Sequence, residues 1–318
     1  MMEVVHLDEA SAFRWPRASV AVGNFDGVHR GHQALVASAA AAARAGKGTS
    51  VVLTFDPHPA RVIAPDAAPS ALMTLDQKAR TLAALGVQVL AVLPFTSEVA
   101  ARTAEEFAVR VLHGALGAQA VVVGDNFRFG RRRAGDVAML RQLGREHGFG
   151  VVEVAPVVVD GERVSSSRIR DALVRGDAAQ AAALLGRPHC VEGRIVPGEG
   201  RGRTIGIPTA NLDAGEAMLP GLGVYAAWCW PEGAPAAAAA AVNVGRRPTF
   251  GAGEVSVEAH LLDFEGDLYG RTMSLSFVTR LRGERKFAGA DALVAQIRDD
   301  ILAARNALER PPPVSPWD

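Results

Sequence analysis

Near the start of this sequence, ten residues combine the types and spacing that phosphate chemistry needs: Gly23-Asn24-Phe25-Asp26-Gly27-Val28-His29-Arg30-Gly31-His32. Two glycines, Gly23 and Gly27, bracket a turn, and two histidines stand three residues apart. The apolar run Ser19-Val20-Ala21-Val22 before it predicts a strand, and the alanine-rich run from Gln33 to Arg44, stopped by Gly46, predicts a helix. Residues three apart at a helix start share a face, so His29 and His32 can both point at whatever occupies the exposed N–H groups there. Those groups and the helix dipole favour an anion. A blander alternative makes one histidine a cap and the other a surface residue. The pairing directly after a strand and a glycine-bracketed turn favours the phosphate site.

Three further stretches belong with it. Thr54-Phe55-Asp56-Pro57-His58-Pro59 ends a predicted strand in two prolines, which predicts a rigid loop where open parallel sheets place ligand loops; a plain turn is the alternative. Gly124-Asp125-Asn126-Phe127-Arg128-Phe129-Gly130 follows another predicted strand. The Arg131-Arg132-Arg133 run after it reads as a solvated loop in preference to a phosphate contact. Arg163-Val164-Ser165-Ser166-Ser167-Arg168-Ile169-Arg170 opens a predicted helix to Val174. Capping explains one serine. Three serines among three arginines exceed that need, and hydroxyls, helix N–H groups and guanidinium forks together make a polyphosphate clamp.

A second dense motif lies downstream, Gly193-x-x-x-x-Gly198-x-Gly200-x-Gly202-Arg203-x-x-Gly206-x-Pro208-Thr209-Ala210-Asn211. Glycines let backbone N–H groups approach phosphates. Thr209 and Asn211 alternate on one side of an extended segment and offer neutral oxygens suited to Mg²⁺ already held by ATP phosphates. Val255-Ser256-Val257-Glu258-Ala259-His260-Leu261 alternates with period two and puts Glu258 on a polar face, where its carboxylate can accept a hydroxyl proton during phosphoryl transfer; a solvated strand face is the alternative.

The first decapeptide resembles the H-x-G-H signature of the nucleotidylyl transferase superfamily. With Thr54 to Pro59 it is similar to the bifunctional bacterial riboflavin kinase/FMN adenylyltransferase (FAD synthetase) family. Pro208-Thr209-Ala210-Asn211, Asn243-Val244-Gly245-x-x-Pro248-Thr249-Phe250 and Glu258 to Gly270 are similar to the riboflavin kinase part of that family. The resemblance runs from about residue 15 to 310 and implies two ATP- and Mg²⁺-dependent steps, riboflavin to FMN and FMN to FAD with release of pyrophosphate. It implies His29, His32, Asn126 and Arg163 in adenylyl transfer, with Gly23, Asn24, Phe25, Asp26, Gly27, Ser166 and Ser167 around that nucleotide. Family members usually carry Thr where this chain has Ser167. Asp56, Pro57, His58 and Phe129 become flavin contacts, Gly198, Gly200, Gly202, Arg203 and Gly206 the second nucleotide loop, Thr209 and Asn211 metal ligands, and Glu258 the kinase base. Two other functions stay in view, a single adenylyltransferase of another phosphorylated metabolite and a flavin-binding sensor without turnover.

Elements must position these groups. At 318 residues the chain has length for two domains. Helix–strand alternation to about residue 186 predicts an α/β, Rossmann-like domain with a parallel sheet, its strands at 19–22, 49–55, 87–93, 120–123 and 150–159. The punctuation Gly186-Arg187-Pro188 places the boundary there, giving domains of 1–186 and 187–318. Beyond it, short runs at 190–196, 223–230, 236–244, 255–264 and 273–281 predict a small antiparallel β-barrel with a closing helix over 291–308. The alanine run Ala236 to Ala241 looks helical by propensity but follows a turn-rich connection and is assigned to a return strand. The tail from Pro311 is expected to be loose.

Charge narrows the partners. Lys plus Arg equals Asp plus Glu at 34 each, which argues against a nucleic-acid partner and for small molecules. The cations are nearly all arginine, with lysine only at 47, 78 and 286, and this reads as genomic bias. Cys190 and Cys229 are too few for a disulfide framework, and no apolar run reaches about 18 residues, so no membrane segment and a cytoplasmic location are expected. Homo-oligomerisation is left open.

Overall fold

The computed structural model describes residues 2–8, 12–13, 15–198, 202, 205–246, 255–310, 312 and 316–317. Gly200, Arg203 and the stretch Pro248-Thr249-Phe250 lie outside the described residues. By packing, the chain forms two compact units, Met1–Pro69 with Thr74–Val164, and Ser70–Met73 with Ser165–Asp318.

The first unit is built on a parallel six-stranded sheet in the order β1-β4-β3-β2-β5-β6. Its strands are β1 (Glu3–His6), β2 (Ala18–Val22), β3 (Ser50–Asp56), β4 (Val89–Pro94), β5 (Ala118–Gly124) and β6 (Gly150–Val154). The central strands are nearly continuous apolar runs because helices cover both faces of such a sheet, and every residue of β2 is buried. The helices are α1 (Arg30–Gly46), α2 (Pro59–Ile63), α3 (Leu75–Ala84), α4 (Ser97–Ala101), α5 (Ala104–Glu106), which continues as a π-helix over Phe107–Ala115, and α6 (Val137–His147). A Thr74–Gln77 capping box opens α3 and a Thr103–Glu106 box opens α5, as the spacing predicts.

Three expectations change. The edge strand β1 adds to the five predicted strands; Glu-Val-Val-His is too short to signal itself and is ordered by pairing with β4. The strand predicted over 150–159 stops at Val154, before Pro156, and Val158–Val159 (β7) instead pairs antiparallel with Glu162–Arg163 (β8). The rigid loop expected at the two prolines after β3 leads directly into a short helix, because Pro59 sits at the first position of α2, where its missing N–H costs nothing.

The second unit opens with α7 (Ser166–Val174) and α8 (Ala178–Leu185). The helix predicted from Arg163 begins at Ser166, since Ser165 is its cap and Arg163 ends β8. A closed antiparallel barrel follows in the order β10-β13-β12-β11-β14-β9. Its strands are β9 (His189–Val196), β10 (Ala210–Asp213), β11 (Gly223–Pro231), β12 (Ala238–Arg246), β13 (Val255–Leu261) and β14 (Thr272–Arg282). Five match predicted runs; β10, the short segment after Pro208, closes the barrel by bonding both β9 and β13. The alanine run does enter a strand. Ala240 fills the barrel interior while Ala241 lies under the closing helix α9 (Ala290–Ala307), so both faces are covered and both need small side chains. Arg282 fixes α9 through a bidentate pair with the buried Asp300, Nη2 to Oδ2 at 2.8 Å.

Candidate functional site

In the first unit, β2 has β3 on one side and β5 on the other, and the chain order reverses there. Loops leaving the C-terminal ends of such strands diverge and leave a crevice. The Gly23–His29 turn follows β2 and stands at that point, flanked by the loops after β3 and β5.

The turn is backbone-strained. Gly27 has φ +84°, which glycine tolerates, but Phe25 and Val28 also lie in the left-handed region, at +49° and +41°. For a β-branched residue this is an outlier worth about 1–3 kcal/mol, which the surroundings must offset. Both side chains are fully buried, and the Phe25 ring packs against His32 at 5.1 Å.

His29 and His32 are brought together. Their rings stack with centroids 3.6 Å and planes 15° apart. His29 is indeed the cap of α1: its Nδ1 accepts the His32 backbone N–H at 3.3 Å. His29 thus fills the capping half of the blander alternative, and with Nδ1 accepting, a neutral ring carries its proton on Nε2. His32 is not the surface residue of that alternative, since its Nδ1 is buried and its ring stacks on His29. Gly31 makes room for this, since a Cβ there would stand 3.1 Å from the His29 ring. Burial, then the neighbouring His29 and Lys78, hold the His32 imidazole well below the usual histidine range. Its Nδ1 is buried with no hydrogen-bond partner among the described residues. The His32 ring is therefore neutral near pH 7, at a helix start whose N–H groups attract anions.

The other predicted residues of this unit distribute as follows. Asn24 Nδ2 lies 3.2 Å from His58 Nε2, which joins the turn after β2 to the loop after β3. His58 caps α2 through Nδ1, and Asp56 and Pro57 lie just before it. Asp26 is buried and Asn126 is exposed after β5. Phe129 belongs to the core, where Phe127 stacks on it at 5.4 Å, so its ring is largely committed to packing. Arg163 forms an ion pair with Asp125, a partner that the sequence reasoning did not name. Ser166 and Ser167 stand in the first turn of α7 in the second unit, and Ser165 takes the capping role by accepting from Arg168 N at 3.2 Å.

Lys78 is the group most plainly missed. It was read as one of three scattered lysines, yet it is buried on α3 and donates from Nζ to the Asn24 carbonyl at 2.8 Å and to Thr54 Oγ1 at 3.1 Å. The signal available in the sequence is its spacing: Lys78 stands four residues before Leu82 and so shares the helix face that is buried.

In the barrel, Asn211, Glu258 and Asn243 stand in register across β10, β13 and β12. Their neighbours Leu212, Val257 and Val244 fill the interior, so the polar trio lies on the outer face. His260, two residues from Glu258, bonds the Pro208 carbonyl from Nδ1 at 2.8 Å and ties β13 to the Pro208-Thr209 peptide. The glycine loop closes on the same residues. A Cβ on Gly198 would stand 2.1 Å from Asn211 Nδ2, and one on Gly202 would meet the Ile207 carbonyl at 2.3 Å and Thr209 Oγ1 at 3.3 Å. Gly206 has φ +75°. A cavity of ≈ 450 Å³ opens beside Thr209, walled by Pro208, Ala259, Phe264 and Tyr269.

A phosphate-type crevice at the reversal of a parallel sheet, followed by a barrel with its own glycine loop and aligned carboxylate, defines a two-site nucleotide-using transferase. Residues 13–168 match the FAD synthetase family and residues 185–308 the riboflavin kinase family. The bifunctional riboflavin kinase/FMN adenylyltransferase of Escherichia coli K12 is 40% identical over 284 residues, 89% of this chain and 90% of that protein. Its Bacillus subtilis counterpart is 35% identical over 290 residues, with 89% and 90% covered. A crystal structure described as a macrolide-efflux protein from Streptococcus pneumoniae is 33% identical and superposes with a TM-score of 0.87 over 96% of this chain and 99% of that one. Among the described residues here, no helix is long and apolar enough to cross a membrane. The chain belongs to the bifunctional riboflavin kinase/FMN adenylyltransferase family.

Proposed function

We infer that this chain makes FAD from riboflavin in two ATP-dependent steps, with FMN as product of the first and substrate of the second. The observation that supports this most is that both signatures occur in one chain, in the order of its relatives, each with a phosphate-suited loop in its own unit.

In adenylyl transfer, an FMN phosphate oxygen attacks the α-phosphorus of ATP and pyrophosphate leaves. His29 and His32, with the N–H groups opening α1, donate to the phosphate oxygens as charge builds on them, and Arg163 supplies a cation to the leaving group. Asn126 and the loop after β3 orient the reactants. No covalent intermediate is needed, because positioning and charge stabilisation carry such reactions.

In the kinase step, Glu258 accepts the proton of riboflavin's terminal ribityl hydroxyl while the γ-phosphoryl group is transferred. Thr209 and Asn211 fit a divalent ion that arrives with ATP: they offer neutral oxygens, and the missing side chain at Gly198 leaves the Asn211 amide its place. Mg²⁺ held there would neutralise phosphate charge. Cys190 and Cys229 are buried and not joined in a disulfide, which suits a cytoplasmic enzyme.

Incubation with riboflavin, ATP and Mg²⁺, followed by chromatography of the flavins, tests the reading. FMN should appear first and FAD after it. His29→Ala with His32→Ala should cost FAD formation on the order of 10²-fold or more and let FMN accumulate. Undiminished FAD from that double variant would remove the histidines from the site.

A further inference from the structure

A buried lysine is costly to keep, and Lys78 lies under the very turn that carries the site. Its Nζ and the Thr54 hydroxyl converge on one atom, the Asn24 carbonyl oxygen, at 2.8 and 3.1 Å, and Nζ also reaches Thr54 Oγ1 at 3.1 Å. The three polar groups form a closed triangle that joins α3, the end of β3 and the turn after β2. The carbonyl they grip belongs to the peptide directly before Phe25, where the chain enters its strained conformation. The same turn ends in His29, the cap of α1.

We propose that Lys78 is a positioning residue for adenylyl transfer: with Thr54 it clamps the Asn24 carbonyl and so holds the strained Gly23–Val28 turn in the shape that presents the histidine pair and the start of α1 to a nucleotide phosphate chain. A strained backbone persists only where its surroundings over-determine it, and a hydrogen bond to an ammonium is stronger than one to a neutral donor. Lys78 also acts through space. The charged and titratable groups facing it are Asp26, Asp56 and His32, and those facing His32 are His29 and Lys78. The acidic pair supports the ammonium against its burial, and the ammonium in turn opposes a proton on His32. One side chain thus holds the shape of the turn and adds, after burial and His29, to what keeps the ring it presents neutral.

The inference rests on His29 and His32 as the phosphate contacts, and its test separates the two ideas. In the full chain, FAD formation from supplied FMN and FMN formation from riboflavin are measured side by side. Lys78→Met keeps the stem and removes the ammonium; Thr54→Val keeps the shape and removes the hydroxyl. The kcat of FAD formation is expected to fall about 10- to 100-fold in K78M and roughly 3- to 10-fold in T54V, as misplacement of reacting groups does. KM for ATP and FMN should change by less than about threefold, and the kinase step by less than about twofold. Because both groups act on one oxygen, the double variant should lose less than the product of the single losses. The acid limb of the pH profile for FAD formation should move to higher pH in K78M, where His32 gains a proton more readily, and stay in place in T54V and in the charge-keeping Lys78→Arg.

A K78M enzyme that makes FAD at the wild-type rate, or that loses only in KM with its acid limb unmoved, overturns the proposal. Should K78M fail to fold, T54V and K78R decide: a folded T54V at full rate together with a K78R whose acid limb shifts overturns it equally. If the histidine double variant also keeps full FAD formation, the reading of the site falls and not this inference alone.

Discussion

Asn211 stands directly opposite Glu258 in the ladder between β10 and β13, with Asn243 opposite Glu258 on its other side. Directly opposed residues of an antiparallel pair share a face and lie within about 5.5 Å at Cβ. The carboxylate proposed as the base therefore sits beside the amide proposed to face the phosphates. Glu258→Gln keeps this geometry and removes the base, so riboflavin phosphorylation should drop by roughly 10²- to 10⁴-fold. FAD formation from supplied FMN should be untouched. Riboflavin turnover near wild type would move the base elsewhere.

Gly198 gives a second handle on that pair. The atom a new Cβ would strike at 2.1 Å is the end of the Asn211 side chain, which can swing away, so Gly198→Ala should fold normally and displace the amide. The Mg²⁺ concentration needed for half-maximal riboflavin phosphorylation should rise, by about tenfold for one lost ligand contact. An unchanged Mg²⁺ dependence with an unchanged rate would separate Asn211 from the metal.

Stability should depend on pH through His189. It is buried in the second unit and donates from Nε2 to the Met218 carbonyl at 2.7 Å. Burial lowers its pKa to about 4; the Met218 bond opposes that shift and the Arg187 cation adds to it. The unfolded chain takes up a proton near pH 6.5 and the folded one near 4, so the contribution is fully present above 6.5. It is lost as pH falls from 6.5 to 4 and levels off below, for a total of roughly 3 kcal/mol. Denaturant melts across this range should show the loss, and His189→Gln should flatten it. A wild-type curve flat between pH 6.5 and 4 would contradict the linkage.

Fragments test the division of the chain. Helix α8 packs on β9 and β14, with Ala178 in the barrel's core and Ala181, Leu184 and Leu185 buried. A fragment of residues 165–318 should melt cooperatively, convert riboflavin to FMN and stop. One of 187–318 lacks both helices, and the lost leucine burial alone should cost it about 3 kcal/mol or more. Equal melting temperatures would make the helices an appendage and favour Gly186 as the working boundary.

Local signals were enough for much of this. Near-continuous apolar runs separated by capped helices specify buried parallel strands, and short runs between turns specify a barrel, because periodicity and caps are properties of neighbouring residues. The H-x-G-H turn, the glycine loop and the position of Glu258 were legible for the same reason: each is a short string whose chemistry depends on spacing within one element. Pairing partners are another matter. Glu3–His6 is a strand only because β4 lies beside it, Ala210–Asp213 only because the barrel needs closing, and Ala238–Arg246 only because interior and α9 both demand small residues. The grip of Lys78 on Asn24, the opposition of Asn211 and Glu258, and the packing of α8 with the barrel join residues far apart in sequence. No local pattern encodes them, since the energy that selects them comes from burial and hydrogen bonds formed only after the chain has folded.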